Sequence, residues 1–221
     1  MKRVSITILL CLAALLLAPI GAQAALTEVG ELTETTPATT PSCPGSPCLA
    51  VSRTTGFQVK VGTTRNVVTA PRAGTIVAWK VGLGKPTAAQ IKFFDENEGG
   101  ESSAGIAILR QQKKPNLTYQ LIAQSPIIKL EKYFGMTAQF PLEKTLTVKK
   151  GDIIALTVPT WAPALALGFS NATSWRASRP KTQCSSTGTQ STQTEVGASL
   201  QYFCLYSTAR LDYSATLIST P

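Results

Sequence analysis

Hydrophobic and polar residues alternate with a period of two over short stretches of this chain, the pattern of half-buried β-strands. Val77, Trp79 and Val81 fall on one face of a strand opened by Ala73-Gly74. Ile154, Leu156 and Val158 share a face after the turn residues Lys150-Gly151-Asp152. Near the C-terminus Ala209, Leu211, Tyr213, Ala215 and Leu217 alternate with Arg210, Asp212, Ser214 and Thr216. Further strands are expected at 50–59, 66–70, 90–95, 105–111, 118–124, 135–140, 144–149, 166–170 and 202–207. No segment after residue 24 sustains helical periodicity over three turns. A dozen short strands joined by Gly, Pro and Asn turns predict an all-β fold, an antiparallel β-sandwich with jelly-roll-like connectivity.

The N-terminus breaks this pattern. Lys2 and Arg3 lead into an apolar run from Val4 to Leu17, followed by Pro19 and the small-residue triplet Ala22-Gln23-Ala24. That is the layout of a secretory signal peptide over residues 1–24, and the run falls short of the roughly 20 residues that span a bilayer. Residues 25–42 carry Glu28, Glu31 and Glu34, no basic residue and a Thr/Pro-rich end, and are expected to form an acidic linker or tail. Residues 43–221 are then a single β-sandwich domain. The expected location is secreted, extracellular or at the cell surface, with no stable membrane span once the leader is cleaved.

Four cysteines remain after the leader, and an even count in a secreted chain predicts two disulfides. The most local of the three possible connectivities is Cys43–Cys48 with Cys184–Cys204. Neither spacing resembles a structural zinc site.

The segments TAPRAGTIVAWKVGLG (69–84), IAILRQ (106–111), YQLIAQSPII (119–128), FPLEKTLTVKKGDIIALTVP (140–159) and ARLDYSATLI (209–218) resemble a group of secreted all-β sandwich proteins common in actinobacteria. The resemblance covers roughly residues 55 to 218 and rests on strand-and-turn motifs. It implies fold and export; the group has no assigned activity, so no functional residues carry over. The Ser/Thr/Gln-rich stretch 182–200 departs from the pattern as an insertion, and a specific role could reside there.

The chain contains no histidine, which removes Ser-His and Cys-His nucleophiles and every imidazole-ligated metal site. Gly168-Phe-Ser170-Asn-Ala172 mimics a nucleophile elbow without its strand-to-helix turn or its histidine. Ser178-Arg-Pro-Lys181 has Ser-x-x-Lys spacing with Pro180 inside the turn. No catalytic residues are assigned. A glycan hydrolase needs only two carboxylates, so that class stays open as the alternative function. Asp95, Glu96, Glu98 and Glu101 form the densest group of oxygen ligands and a weak Ca²⁺ candidate, against a plain reading as an acidic hairpin turn shaped by Gly99-Gly100. No other cofactor is expected.

Binding candidates come from aromatics and charge. Trp161, Trp175, Tyr202 and Tyr206 could offer flat faces to sugar rings, whereas Trp79 belongs in the core. Trp161 sits between Pro159 and Pro163 in an expected loop, and Trp175 precedes the basic run Arg176, Arg179 and Lys181. Residues 43–221 hold 19 basic and nine acidic residues, a formal net of +10. Lys113-Lys114 and Lys149-Lys150 fall in expected loops as well. The balance suits an anionic cell-envelope polymer or a glycan, with no specific nucleic acid implied. The sequence therefore suggests a noncatalytic extracellular module, with the hydrolase and a purely structural surface protein as alternatives.

Overall fold

A computed structural model describes residues 24–31, 38–46, 48–185 and 189–220. Apart from Ala24, the expected leader lies outside the described residues. The chain runs β1 (Leu26–Val29), β2 (Val51–Val61), β3 (Thr64–Arg65), β4 (Gly74–Gly82), α1 (Ala88–Asn97) and β5 (Ser103–Gln111). Next come β6 (Thr118–Gln124), β7 (Ile128–Lys129), β8 (Thr137–Val148), β9 (Ile153–Ala162) and β10 (Leu165–Leu167). The C-terminal part adds β11 (Ser174–Ala177), β12 (Ser199–Gln201), β13 (Cys204–Ser207), β14 (Ala209–Leu211) and β15 (Tyr213–Ser219).

One sheet has the order β1-β15-β4-β8. The other runs β12-β6-β5-β9-β2-β11-β13, and β10 and β14 form a separate ribbon. Every strand pairing is antiparallel. Without the additions at the sheet margins, four strands (β1, β15, β4, β8) face four others (β6, β5, β9, β2), with the chain crossing repeatedly between layers. That is a jelly-roll sandwich. Ile76, Trp79 and Val81 on one layer and Ile106, Ile108, Ile154, Leu156 and Val158 on the other are all fully buried or nearly so. Two polar side chains tie these parts together: Tyr213 Oη on β15 donates across the layers to the Ile154 carbonyl of β9 at 2.8 Å, and Gln58 Oε1 on β2 accepts from the Leu211 amide of the β14 ribbon at 3.0 Å.

Several expectations need correction. Residues 90–95 are helix, because Thr87 closes a capping box with Gln90 and starts α1. Residues 66–70 form a turn with one isolated bridge, Thr69 to Ile153. The expected strands 135–140 and 144–149 are one strand, β8. A register shift against it between Ile76 and Ala78 turns Val77 off the core face, so Ile76, not Val77, packs with Trp79 and Val81. The expected tail is in part structured. Its residues 26–29 add an edge strand to β15, fixed where the Glu28 carboxylate accepts from Ser214 Oγ at 2.5 Å and Thr216 Oγ1 at 2.7 Å.

The insertion is likewise built into the fold. Ser191 bridges Thr54 in parallel, and Gln193, 2% exposed, reaches the core beside the Phe57, Tyr119 and Tyr202 rings. Gln193 Nε2 donates to the Tyr119 and Ala198 carbonyls, so its polar atoms are matched where water is absent.

Candidate functional site

β2, β11 and β13 border a groove of about 410 Å³. Its walls come from segments far apart in sequence. Cys48–Ala50 and Glu98 line it from the N-terminal half, and Trp175, Arg179, Cys184 and Leu205–Ala209 from the C-terminal half. Both disulfides form, Cys43–Cys48 and Cys184–Cys204, with Cα separations of 4.4 and 5.1 Å. Cys48 and Cys184 each lie in a groove wall, so the two bridges hold the segments that flank the opening.

Trp175 reaches the groove because of two local features of β2. The register against β2 shifts between Ser174 and Trp175, a bulge that re-aims the ring. Gly56, two residues along β2 from the Trp175 partner Gln58, has no side chain; a Cβ there would lie 3.0 Å from two Trp175 ring carbons. Tyr206 is the cross-strand partner of Trp175 on β13, and the ring centroids are 4.7 Å apart. Trp175 is only 6% exposed, so the half-buried Tyr206 supplies the wider aromatic face. Leu49 and Leu205, 40% and 49% exposed, add an apolar rim.

Two charged groups sit among these surfaces. Arg179 Nη2 donates to the Ser52 carbonyl, Nη1 to Tyr206 Oη and Nε to Ser191 Oγ, which ties β2, β13 and the insertion together. Glu98 follows the last turn of α1, where its amide donates to the Phe94 carbonyl at 2.7 Å and Gly99 turns the chain with φ of +92°. The Glu98 side chain is buried in the wall. Its Oε2 lies 3.8 Å from Arg53 Nε and has no hydrogen-bond donor. A buried acceptor without a donor costs about 1–3 kcal/mol until a ligand or water satisfies it.

The other candidates fall elsewhere. Trp161 is on β9 and fully buried: it stacks on Phe94 at 4.6 Å and donates its indole N–H to Asp95 Oδ1 at 2.9 Å. It seats the helix and offers no face to a ligand, because the apolar side of α1 needs a flat partner. Arg176 is spent on the Tyr202 and Phe203 carbonyls. Lys181 lies over the Phe203 ring at 5.7 Å. Tyr202 is a core residue whose phenol burial pushes well above its ordinary pKa, so it stays a neutral donor.

Asp95, Glu96, Glu98 and Glu101 lie on α1 and the turn after it, not in a hairpin, and they do not converge. Their separate partners are Trp161, Lys92, Arg53 and Lys129. Among the described residues no cluster of three or more potential ligands could hold a metal ion. A different acid is perturbed. Glu131 is pushed above the usual carboxylate range by burial first, then by the negative Asp95 and Glu101 nearby.

Glu98, Trp175, Tyr206 and Arg179 were individually visible in the sequence, but their grouping was not. Leu49 and Leu205 carried one signal, since each adjoins a cysteine and the bridges bring those segments to the opening. No family model, curated protein or solved structure matches the chain.

Proposed function

We propose that this chain is an exported, noncatalytic module that binds carbohydrate in the groove between β2, β11 and β13. The observation that carries this reading is the Glu98 carboxylate, whose buried Oε2 lacks a donor within a groove walled by Tyr206 and Trp175. A sugar ring matches both features, because its apolar face packs on an aromatic side chain while its hydroxyls donate to buried acceptors. Ser52, Thr54, Ser207 and Thr208 add polar groups along the same lining. Among the described residues lining the groove, one cation, Arg179, and one carboxylate, Glu98, favour a hydroxyl-rich, uncharged glycan over a polyanion.

The hydrolase alternative needs a second carboxylate about 5 to 9.5 Å across the scissile bond. Among the described residues lining the groove, Glu98 is the one carboxylate. Two disulfides and a leader-like N-terminus support export. No helix among the described residues is long and apolar enough to cross a membrane.

An oligosaccharide array probed with the purified chain tests the reading. Binding of intact glycan without release of shorter products is expected. Product release would establish a hydrolase, and an array with no bound glycan would leave a structural surface protein.

A further inference from the structure

The strand registers collect charge at one end of the sandwich. Lys60 faces Arg65, Leu109 faces Ile153, Gln111 faces Tyr119 and Gly74 faces Val148, so segments 60–73, 110–118 and 149–153 meet there. These segments hold Lys60, Arg65, Arg72, Arg110, Lys113, Lys114, Lys149 and Lys150 against a single acid, Asp152. Asp152 is buried and already occupied: Arg110 grips it through Nε at 2.8 Å and Nη2 at 2.7 Å, and the Lys149 amide donates at 2.8 Å. Among the described residues no ion pair engages the other seven cations, and all but the half-buried Lys60 are exposed.

Two further observations distinguish what this end would meet. Leu26, 72% exposed, is paired in register with Ile218, 37% exposed, so an apolar step adjoins the cations. The chain also enters at this end: Ser219 donates its amide to the Ala25 carbonyl and Thr220 to Ala73, next to Arg72.

We infer that this end is an electrostatic docking face for an anionic lipid surface, separate from the groove. Clustered Lys and Arg gain attraction from each anionic headgroup layer they approach, and loops can present them without exposing a core. A linear polyanion would use the same charges but has no use for the Leu26–Ile218 step.

The test is sedimentation of the purified chain with vesicles of phosphatidylglycerol mixed into phosphatidylcholine, beside vesicles of phosphatidylcholine alone. Binding to the mixed vesicles only is expected, lost as salt rises from about 0.1 M to 1 M. Combining Lys113→Glu, Lys114→Glu, Lys149→Glu and Lys150→Glu should weaken it at least about 100-fold. Glu98→Gln should leave it unchanged, which separates this inference from the glycan reading. Equal binding to both vesicle types would mean that an apolar segment inserts and would overturn the inference, as would binding indifferent to salt in the unmodified chain. Capture of long-chain polyphosphate without any vesicle binding would also overturn it and make this end a polymer site.

Discussion

Tyr202 Oη donates to Gln193 Oε1 at 2.7 Å, and this buried bond joins the polar insertion to the aromatic core of the sandwich. Tyr202→Phe would keep the tilted and edge-on ring contacts with Phe57 and Tyr119 and leave the Gln193 oxygen buried without a donor. A loss of about 1–3 kcal/mol is expected in denaturant unfolding. An unchanged midpoint would mean that the insertion is dispensable to the fold.

The Cys184–Cys204 bridge closes a loop with a sequence separation of 20. Replacing both cysteines with serine should cost about 3 kcal/mol. That corresponds to a fall in melting temperature of about 6–12 °C for a domain of this size. Cys184 also lines the groove, so glycan affinity should fall in the same variant.

Glu28 fastens β1 through Ser214, Thr216 and Lys80. Glu28→Ala should speed amide exchange at Leu26–Val29 and at their partners on β15 while leaving the groove untouched. Slow exchange at those amides would show that backbone pairing alone retains the strand.

Glu131 gives a pH dependence. Its folded pKa is raised, so its contribution is favourable at low pH and is lost as pH rises through the folded value. Glu131→Gln should therefore gain stability over the unmodified chain at neutral pH, and the gap should close on acidification. Chemical unfolding of both at neutral and at acid pH checks this. A gap that widened in acid would contradict the burial assigned to Glu131.

Much of the fold was legible because period-two burial is a local signal. Ala209, Leu211, Tyr213, Ala215 and Leu217 are all buried as their spacing demands, but the expected solvent face is not exposed. Arg210, Ser214 and Thr216 are buried too, because β1 and Gly30 cover them and take their hydrogen bonds. The same spacing did not show that the chain changes sheets at Asp212, where β14 of the ribbon gives way to β15, since strand pairing is a non-local choice. The disulfide pairing was readable from parity and proximity. The helix was missed because Phe93 and Phe94 suit a strand as well as a helix, and only the Thr87–Gln90 capping box decides. Trp161 was misjudged as a loop residue because its flanking prolines suggested a break, whereas Pro159 lies within β9 and Pro163 just beyond its end. The groove could not be read from sequence, because its walls meet only after β2, β11 and β13 have paired.

Isothermal titration of the array-selected oligosaccharide against the unmodified chain, Glu98→Gln and Tyr206→Ala tests the central claim most directly. Glu98→Gln keeps the side-chain shape but loses a charged acceptor, so affinity should drop about tenfold or more. Tyr206→Ala should abolish measurable binding by removing the wider aromatic face. Affinities equal to that of the unmodified chain in both variants, with the fold intact, would contradict a glycan site in this groove.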